Sequence, residues 1–248
     1  MASQLSSNWS DRPAPGALAL VQDFLNAPQA EPTADELLIA STIRAEADAG
    51  EPQASIAARY DVSQQLVSAI LRNKRAAISD RGSNVPAPTL GTPASASKWL
   101  ANRGFETGRL SAAAYRRLLR LRDVLLALSF ANNGHGLAEA PWRELDQIAA
   151  ACFLRVTFDA KGPRLVPVRP GPASFEATIV AAVYEAMRDG TWPRLKACPA
   201  DRCHYVFYDT SRNRTSTWCS MAICGNRTKV RNYQERARAA RGARTARA

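Results

Sequence analysis

Four cysteines inside a stretch of 27 residues, Cys198, Cys203, Cys219 and Cys224, constrain this chain more than any other feature. Their spacing is C-x4-C-x15-C-x4-C, two pairs separated by a short loop. A segment that small cannot bury a core of its own, so its folding must draw on something besides apolar packing. In a reducing compartment two thiol pairs this close imply a metal site rather than two disulfides. Two pairs can close a tetrahedral four-thiolate site of the structural kind, and metal binding then supplies most of the segment's folding free energy. His204, beside Cys203, is a spare ligand that a four-cysteine site does not need. The competing readings are four reduced thiols without metal and an open, catalytic zinc. Cys152 stands alone beside Phe153 and Leu154 and is expected to be a small buried apolar residue.

The charge is placed on the same segment. The chain of 248 residues carries a formal charge of +11. From Trp192 to Ala248 there are 13 Lys+Arg against 3 Asp+Glu, and the preceding 191 residues are almost neutral. A one-sided basic segment is the electrostatic footprint of a nucleic-acid or other anionic partner; the plain alternative is a solvated tail. The longest apolar stretches, Val124 to Ala131 and Ala177 to Tyr184, fall short of the ~18 residues of a membrane span. No basic-then-apolar leader opens the sequence. A soluble, cytoplasmic protein without a membrane partner is therefore expected.

Upstream of the cysteines the pattern is helical. Residues 1–16 are polar and proline-marked, a flexible arm. Leu18, Val21 and Leu25 place one apolar face on a short helix over 17–26. Thr33 with Glu36 forms a capping box for a helix from Ala34 to about Ala49, stopped by Gly50. Further helices are expected over 52–60 and 64–73. Residues 78–91 are a linker. Thr92-Pro93 begins a helix to about Asn102, and Ser111 caps the strongest one, to about Ala131, with Leu118, Leu121, Leu125 and Leu128 on one face. Pro141 begins another. Leu154 to Val168 reads as a hairpin, with Pro167 weakening its second strand. Ser174 is expected to cap a helix to Met187 ended by Gly190. The fold class is mainly α with one small β-hairpin, a cysteine module and a basic C-terminal helix.

In that last helix Arg227, Arg231, Arg238 and Arg241 form one stripe, and Val230, Tyr233 and Ala237 a second, apolar stripe that could pack on the cysteine module. Gly225 would permit a positive-φ knuckle, and Asn226 would cap the helix. Arg212, Arg214, Arg227, Lys229, Arg231 and the Asn226 amide are the phosphate-contact candidates here. Phe207, Tyr208 and Trp218 are expected to form the module's miniature core.

Three stretches of this region resemble the CGNR zinc finger. They are Val206-Phe207-Tyr208-Asp209-Thr210-Ser211-Arg212-Asn213, then Trp218-Cys219-Ser220-Met221, then Cys224-Gly225-Asn226-Arg227-Thr228-Lys229. The resemblance implies one structural Zn2+ held by Cys198, Cys203, Cys219 and Cys224, and a role in DNA binding. In that family the finger usually follows an ABATE domain, a mostly helical module attributed to stress-induced bacterial transcription regulators. Phe24-Leu25-Asn26, Leu90-Gly91-Thr92-Pro93 with Trp99-Leu100, and Leu121-Arg122-Asp123 are similar to it. On this reading the ABATE-like domain spans 17–32 and 92–190, and the finger with its helix spans 191–248.

Residues 33–77 would then be an insertion. Within it, Gln53 to Leu71 resembles a helix-turn-helix of the resolvase and repressor type, carried by Ile56-Ala57-Ala58-Arg59-Tyr60-Asp61-Val62-Ser63 with Val67, Ile70 and Leu71. Val67 and Ile70 would bury the second helix against Ile56. Gln64, Gln65, Ser68 and Arg72 would face outward, with Lys74 and Arg75 extending the basic end. Gln can bond adenine bidentately and Arg can bond guanine or phosphate. The alternative is an ordinary helical hairpin.

The reading that unites these features is a transcription regulator binding double-stranded DNA. Its helix-turn-helix would read the major groove, and its finger and basic helix would contact phosphates. A homodimer would match paired half-sites, and the helical middle, residues 92–190, would be a sensing or dimerising domain, the chemistry of any small-molecule ligand being unspecified. The alternatives are an RNA-binding zinc protein and a ligand-binding or enzymatic helical domain with a solvated tail. Catalysis is not expected. His135 lies in an Asn/Gly-rich loop, and Glu139, Glu144 and Asp146 suit the first turn of a helix.

Overall fold

The computed structural model describes residues 13–29, 42–43, 45–59, 67, 71, 89–136, 139–160, 162–200 and 203–245. In chain order the elements are α1 (Leu18–Asn26), α2 (Gln53–Arg59), α3 (Pro93–Ala101), α4 (Ala112–Ala131), α5 (Ala140–Ala150), β1 (Leu154–Asp159), β2 (Gly162–Pro167), α6 (Pro172–Arg188), β3 (Leu195–Ala197), β4 (Val206–Tyr208) and α7 (Asn226–Thr245). The fold is mainly helical. Beside the expected hairpin, β1 with β2, there is a second, β3 with β4, which brackets the first cysteine pair. Its strands have three residues each, too short for an alternation to be visible in the sequence. Among the described residues no helix is long and apolar enough to cross a membrane.

The chain divides into two compact units, Met1–Ala27 with Leu100–Ala248, and Pro28–Trp99. The first is organised on α6, whose Phe175, Ile179 and Val183 are buried. Phe24 of α1 and Phe105 each meet the Phe175 ring edge-on, at 5.1 and 5.0 Å. This arrangement suits the ring quadrupoles. The α4 stripe of Leu118, Leu121, Leu125 and Leu128 is buried as its spacing requires, and Ser111 accepts from the Ala114 amide as the cap. Helix α6 starts three residues earlier than Ser174 as its cap predicts. Pro172 sits in its first turn, where a fixed φ suits the helix and no amide is missed, and Gly171 precedes it with φ 73°. Ser174 is inside the helix and its carbonyl accepts from the Thr178 hydroxyl.

In the second unit Ile43, Ile56 and Val67 are fully buried together, with Ala47 and Leu71 packed against them. The meeting of Ile56 with Val67 is the contact expected from the sequence. Gly50 ends the preceding helical segment with φ 89°. Thr92 accepts from the Ser95 amide at the start of α3. The capping box at Thr33 and Glu36 lies outside the described residues.

Candidate metal centre

The four cysteines converge from two short folded pieces. Cys198 follows β3, and its amide donates to the Tyr205 carbonyl at 2.9 Å, continuing the β3–β4 ladder. The chain turns tightly between them, with the Cys203 amide on the Ala200 carbonyl at 2.8 Å. His204 then takes the left-handed conformation, φ 50°, which returns the chain to β4. The second pair lies at the ends of a loop and a π-type turn over Met221–Gly225, where the Cys224 amide donates to the Ser220 carbonyl.

All four sulfurs lie within 4.8 Å of one another. Cys203 and Cys219 are 3.5 Å apart, and Cys219 and Cys224 are 3.7 Å apart. Zn–S bonds of ~2.3 Å in a tetrahedron require sulfur separations of about 3.8 Å, so the donor set fits one zinc. Hydrogen bonds from Cys203 and Cys219 pull Cys198 far below the ordinary thiol value. Hydrogen bonding to Cys198 pushes Cys203 and Cys219 up, and burial pushes Cys224 up to about 12. A divalent metal that accepts thiolate ligands would bind all four cysteines deprotonated. Phe207 is buried among Cys198, Cys219 and Cys224, with Tyr205, Trp218 and Ile223 closing the cluster. Phe207 and Trp218 are thus core, as expected; Tyr208 is buried but lies outside this cluster.

Two roles read from the sequence change. Gly225 does not adopt positive φ. Its α-carbon is closely covered instead: a Cβ there would meet Trp218 Cδ1 at 3.1 Å and the end of the flexible Met221 side chain closer still. Asn226 is no cap. Its backbone is helical, because the π-type turn runs straight into α7, and its Nδ2 donates back to the Ala222 carbonyl.

The loop between the cysteine pairs is built on a buried ion pair that sequence reasoning missed. Lys196 Nζ lies 2.8 Å from Asp209 Oδ2, and both side chains are buried. Lys196 also donates to the carbonyls of Arg214 and Ser216. Asp209 accepts from the Ser211 amide and hydroxyl and from the Ser216 amide. The only signal was a lysine between two apolar strand residues, Leu195 and Ala197. This pair fixes the course of the loop that holds Arg212 and Arg214, both exposed, with Arg214 at φ 56°.

The finger is joined to the helices by asparagines. Asn26 at the end of α1 donates to the Val206 carbonyl at 2.7 Å and accepts from the Val206 amide at 2.8 Å, taking the place of another strand beside β4. Gln22 donates to the same carbonyl. At the end of α4, Asn132 donates to the carbonyls of Trp192 and Leu195, and Asn133 to those of Ala197 and Thr217. Asn26→Ala leaves the Val206 amide without its side-chain acceptor and the Val206 carbonyl with Gln22 alone, at about 1–3 kcal/mol. A lowered denaturation midpoint with zinc still bound is the expected outcome, measured by chemical denaturation alongside metal quantification.

The remaining site candidates divide. Asn226, Arg227, Lys229 and Arg231 are exposed on α7, with Arg231 3.8 Å from Glu235. The apolar stripe expected to pack on the finger does not: Val230 is 55% and Tyr233 70% exposed. A helix with nine of its first eleven residues polar or charged stands clear instead. Gln64, Gln65, Ser68, Arg72, Lys74 and Arg75 lie outside the described residues, as do the side chains of Arg238 and Arg241. His135 is exposed and stacks edge-on against Phe130. Glu139 and Asp146 are exposed, and Glu144 pairs with Arg120. Cys152 is half-buried rather than buried, and burial raises its thiol.

A family model described as the CGNR zinc finger matches residues 194–237. All four clustered cysteines lie inside the matched span. No curated protein matches the chain.

Proposed function

We propose that the protein is a DNA-binding transcription regulator that acts by binding rather than by catalysis. The observation that carries this reading is the basic surface at the zinc centre. Arg212 and Arg214 stand on a loop pinned by Lys196 and Asp209, and Arg227, Lys229 and Arg231 stand on the exposed helix that leaves the last cysteine. Cations held on rigid supports gain phosphate contacts without much ordering cost. The metal supplies the support by closing the finger.

A second arm would read sequence. The buried meeting of Ile43, Ile56 and Val67 supports a trihelical unit, and Gln64, Gln65, Ser68 and Arg72 are its base-edge candidates, with Lys74 and Arg75 on the backbone. The interruption of one compact unit by another, Pro28–Trp99, supports an insertion, wider than residues 33–77 because it takes in the Leu90-Gly91-Thr92-Pro93 stretch read as ABATE-like. The intended polymer is duplex DNA because major-groove reading needs one.

The test is binding of zinc-loaded protein to random duplex DNA across a salt series, with the retained DNA sequenced. Each phosphate contact contributes ~0.9 to the slope of log affinity against log salt. Replacing Arg227, Lys229 and Arg231 with alanine is therefore expected to flatten that slope by about 2–3. Gln65→Ala and Arg72→Ala are expected to erase the enriched motif while leaving the slope almost intact. An unchanged slope in the triple variant would overturn the phosphate reading. Equal or tighter binding to single-stranded RNA would overturn the choice of polymer.

A further inference from the structure

One face of the β1–β2 hairpin carries exposed apolar side chains, and along it Val156, Pro163 and Leu165 line a shallow groove with Tyr184, Glu185 and Arg188 of α6. Val156 is 53% and Phe158 80% exposed. Strand β2 lies against α6, whereas β1 has β2 as its strand neighbour and no other among the described residues. The ladder fixes which backbone groups point outward. The Val168 amide bonds the Phe153 carbonyl at 2.9 Å. Hydrogen-bonded and non-bonded positions alternate along an antiparallel strand. Arg155, Thr157 and Asp159 therefore bond toward β2, and the amides and carbonyls of Leu154, Val156 and Phe158 point to the outer edge. Natural sheets blunt such edges with lysine, proline or a bulge. Strand β1 has no lysine, proline or bulge, and its two charges, Arg155 and Asp159, are of opposite sign.

What it has is self-complementarity. If two copies of β1 run antiparallel about a two-fold axis at Thr157, then Val156 of one copy lies opposite Phe158 of the other, on the edge-pointing positions that can exchange hydrogen bonds. In the same register Arg155 lies opposite Asp159 on the opposite face, twice over by symmetry. Within the chain Asp159 already pairs with Arg164 on β2, so the second copy's Arg155 would complete an Arg–Asp–Arg group. A shift of two residues in either direction places Arg155 opposite Thr157 or Thr157 opposite Asp159 and loses both charge pairs. On the apolar face Leu165, opposite Val156 in the ladder, and Pro163, opposite Phe158, extend the covered strip.

We propose that this face pairs with a second copy of the chain, β1 to β1, forming a four-stranded antiparallel sheet across an isologous two-fold interface. The proposal is independent of DNA binding and uses none of the finger's residues.

The experiment is sedimentation of the full, zinc-loaded chain, 26.9 kDa as a monomer, over a concentration series. A dimer is expected. Arg155→Glu and Asp159→Lys each set like charges opposite one another twice and should weaken self-association by about tenfold or more. Mixing the two variants places Glu opposite Lys and Arg opposite Asp, so a heterodimer should form where neither variant pairs with itself. Thr157→Cys sits at a non-bonded pair, where Cα atoms are about 4.5 Å apart, within disulfide range. Oxidised glutathione should cross-link it on a non-reducing gel and leave the wild type uncross-linked. A chain that remains monomeric throughout overturns the proposal. So does a dimer that survives both single variants unchanged, or a mixture that gains nothing over its components.

Discussion

Stripping the metal from the intact protein is expected to unfold the finger and to destabilise the helices beside it. A structural zinc contributes about 10–16 kcal/mol to the folding of a small finger at neutral pH, as much as the whole net stability of an ordinary domain, 5–15 kcal/mol. The apolar cluster that remains around Cys198, Phe207, Cys219 and Cys224 is too small to replace it. The effect does not stop at the finger. When β4 is lost, Asn26 and Gln22 lose the Val206 backbone, and Asn132 and Asn133 lose the carbonyls of Trp192, Leu195, Ala197 and Thr217. Cys219→Ser should therefore bring the bound zinc to zero and lower the melting temperature of the whole first unit. A loss of several kcal/mol in a unit of this size corresponds to a drop on the order of 10 °C. Cys152→Ser should change neither quantity. Zinc release by a chromophoric chelator, followed alongside the thermal melt, checks both. A chain that carries no metal as purified and melts unchanged in chelator would return the cluster to four reduced thiols.

That coupling marks where sequence reasoning reached its limit. The donor set was legible because sulfur chemistry needs a recognisable residue at recognisable spacing. The α4 core stripe and the Ile56–Val67 contact were legible because helical burial imposes a period. The bonds that join the finger to the helices have neither property. Asn26, Asn132 and Asn133 recognise backbone carbonyls, and any strand offers those, so no residue pattern announces the partner. Asp209 and Lys196 are 13 positions apart and resemble ordinary surface charges until the β3–β4 hairpin folds them together. The errors have the same origin. Gly225 reads as a conformational glycine, whereas Met221 and Trp218 lie close against its α-carbon. Val230 and Tyr233 read as a packing stripe because amphipathic spacing implies a partner without saying that one is present. Strand β1 shows the converse: its alternation is legible, but Val156 and Phe158 remain exposed within one copy.

Breaking the Lys196–Asp209 pair from either side is expected to be among the most damaging single changes outside the cysteines. A buried charge left without its partner costs about 3–5 kcal/mol. All three Lys196 donors are used, on Asp209 and the carbonyls of Arg214 and Ser216. Asp209→Ala strands that ammonium and also frees the Ser211 and Ser216 amides, so the loop bearing Arg212 and Arg214 loses its anchor. Lys196→Met strands the carboxylate instead. The double variant should cost less than the sum of the two, because each single change already contains the penalty of an orphaned charge. The pH dependence follows from the carboxyl's position. Burial alone would raise it, but hydrogen bonds from Lys196 and Ser211, with the Lys196 charge, override burial and hold it at about 2. An unfolded aspartate titrates near ~3.9. The folded value is the lower one, so the stabilisation is complete above pH ~4 and is lost as pH falls toward 2. The stability gap between wild type and Asp209→Asn should accordingly stay constant from pH 5 to 8 in denaturant melts. Any acid transition in that range belongs to protonation of the zinc thiolates and should fall at the same pH in both proteins. A gap that closes on acidification while the zinc remains bound would mean that Asp209 titrates in place, contrary to its paired geometry.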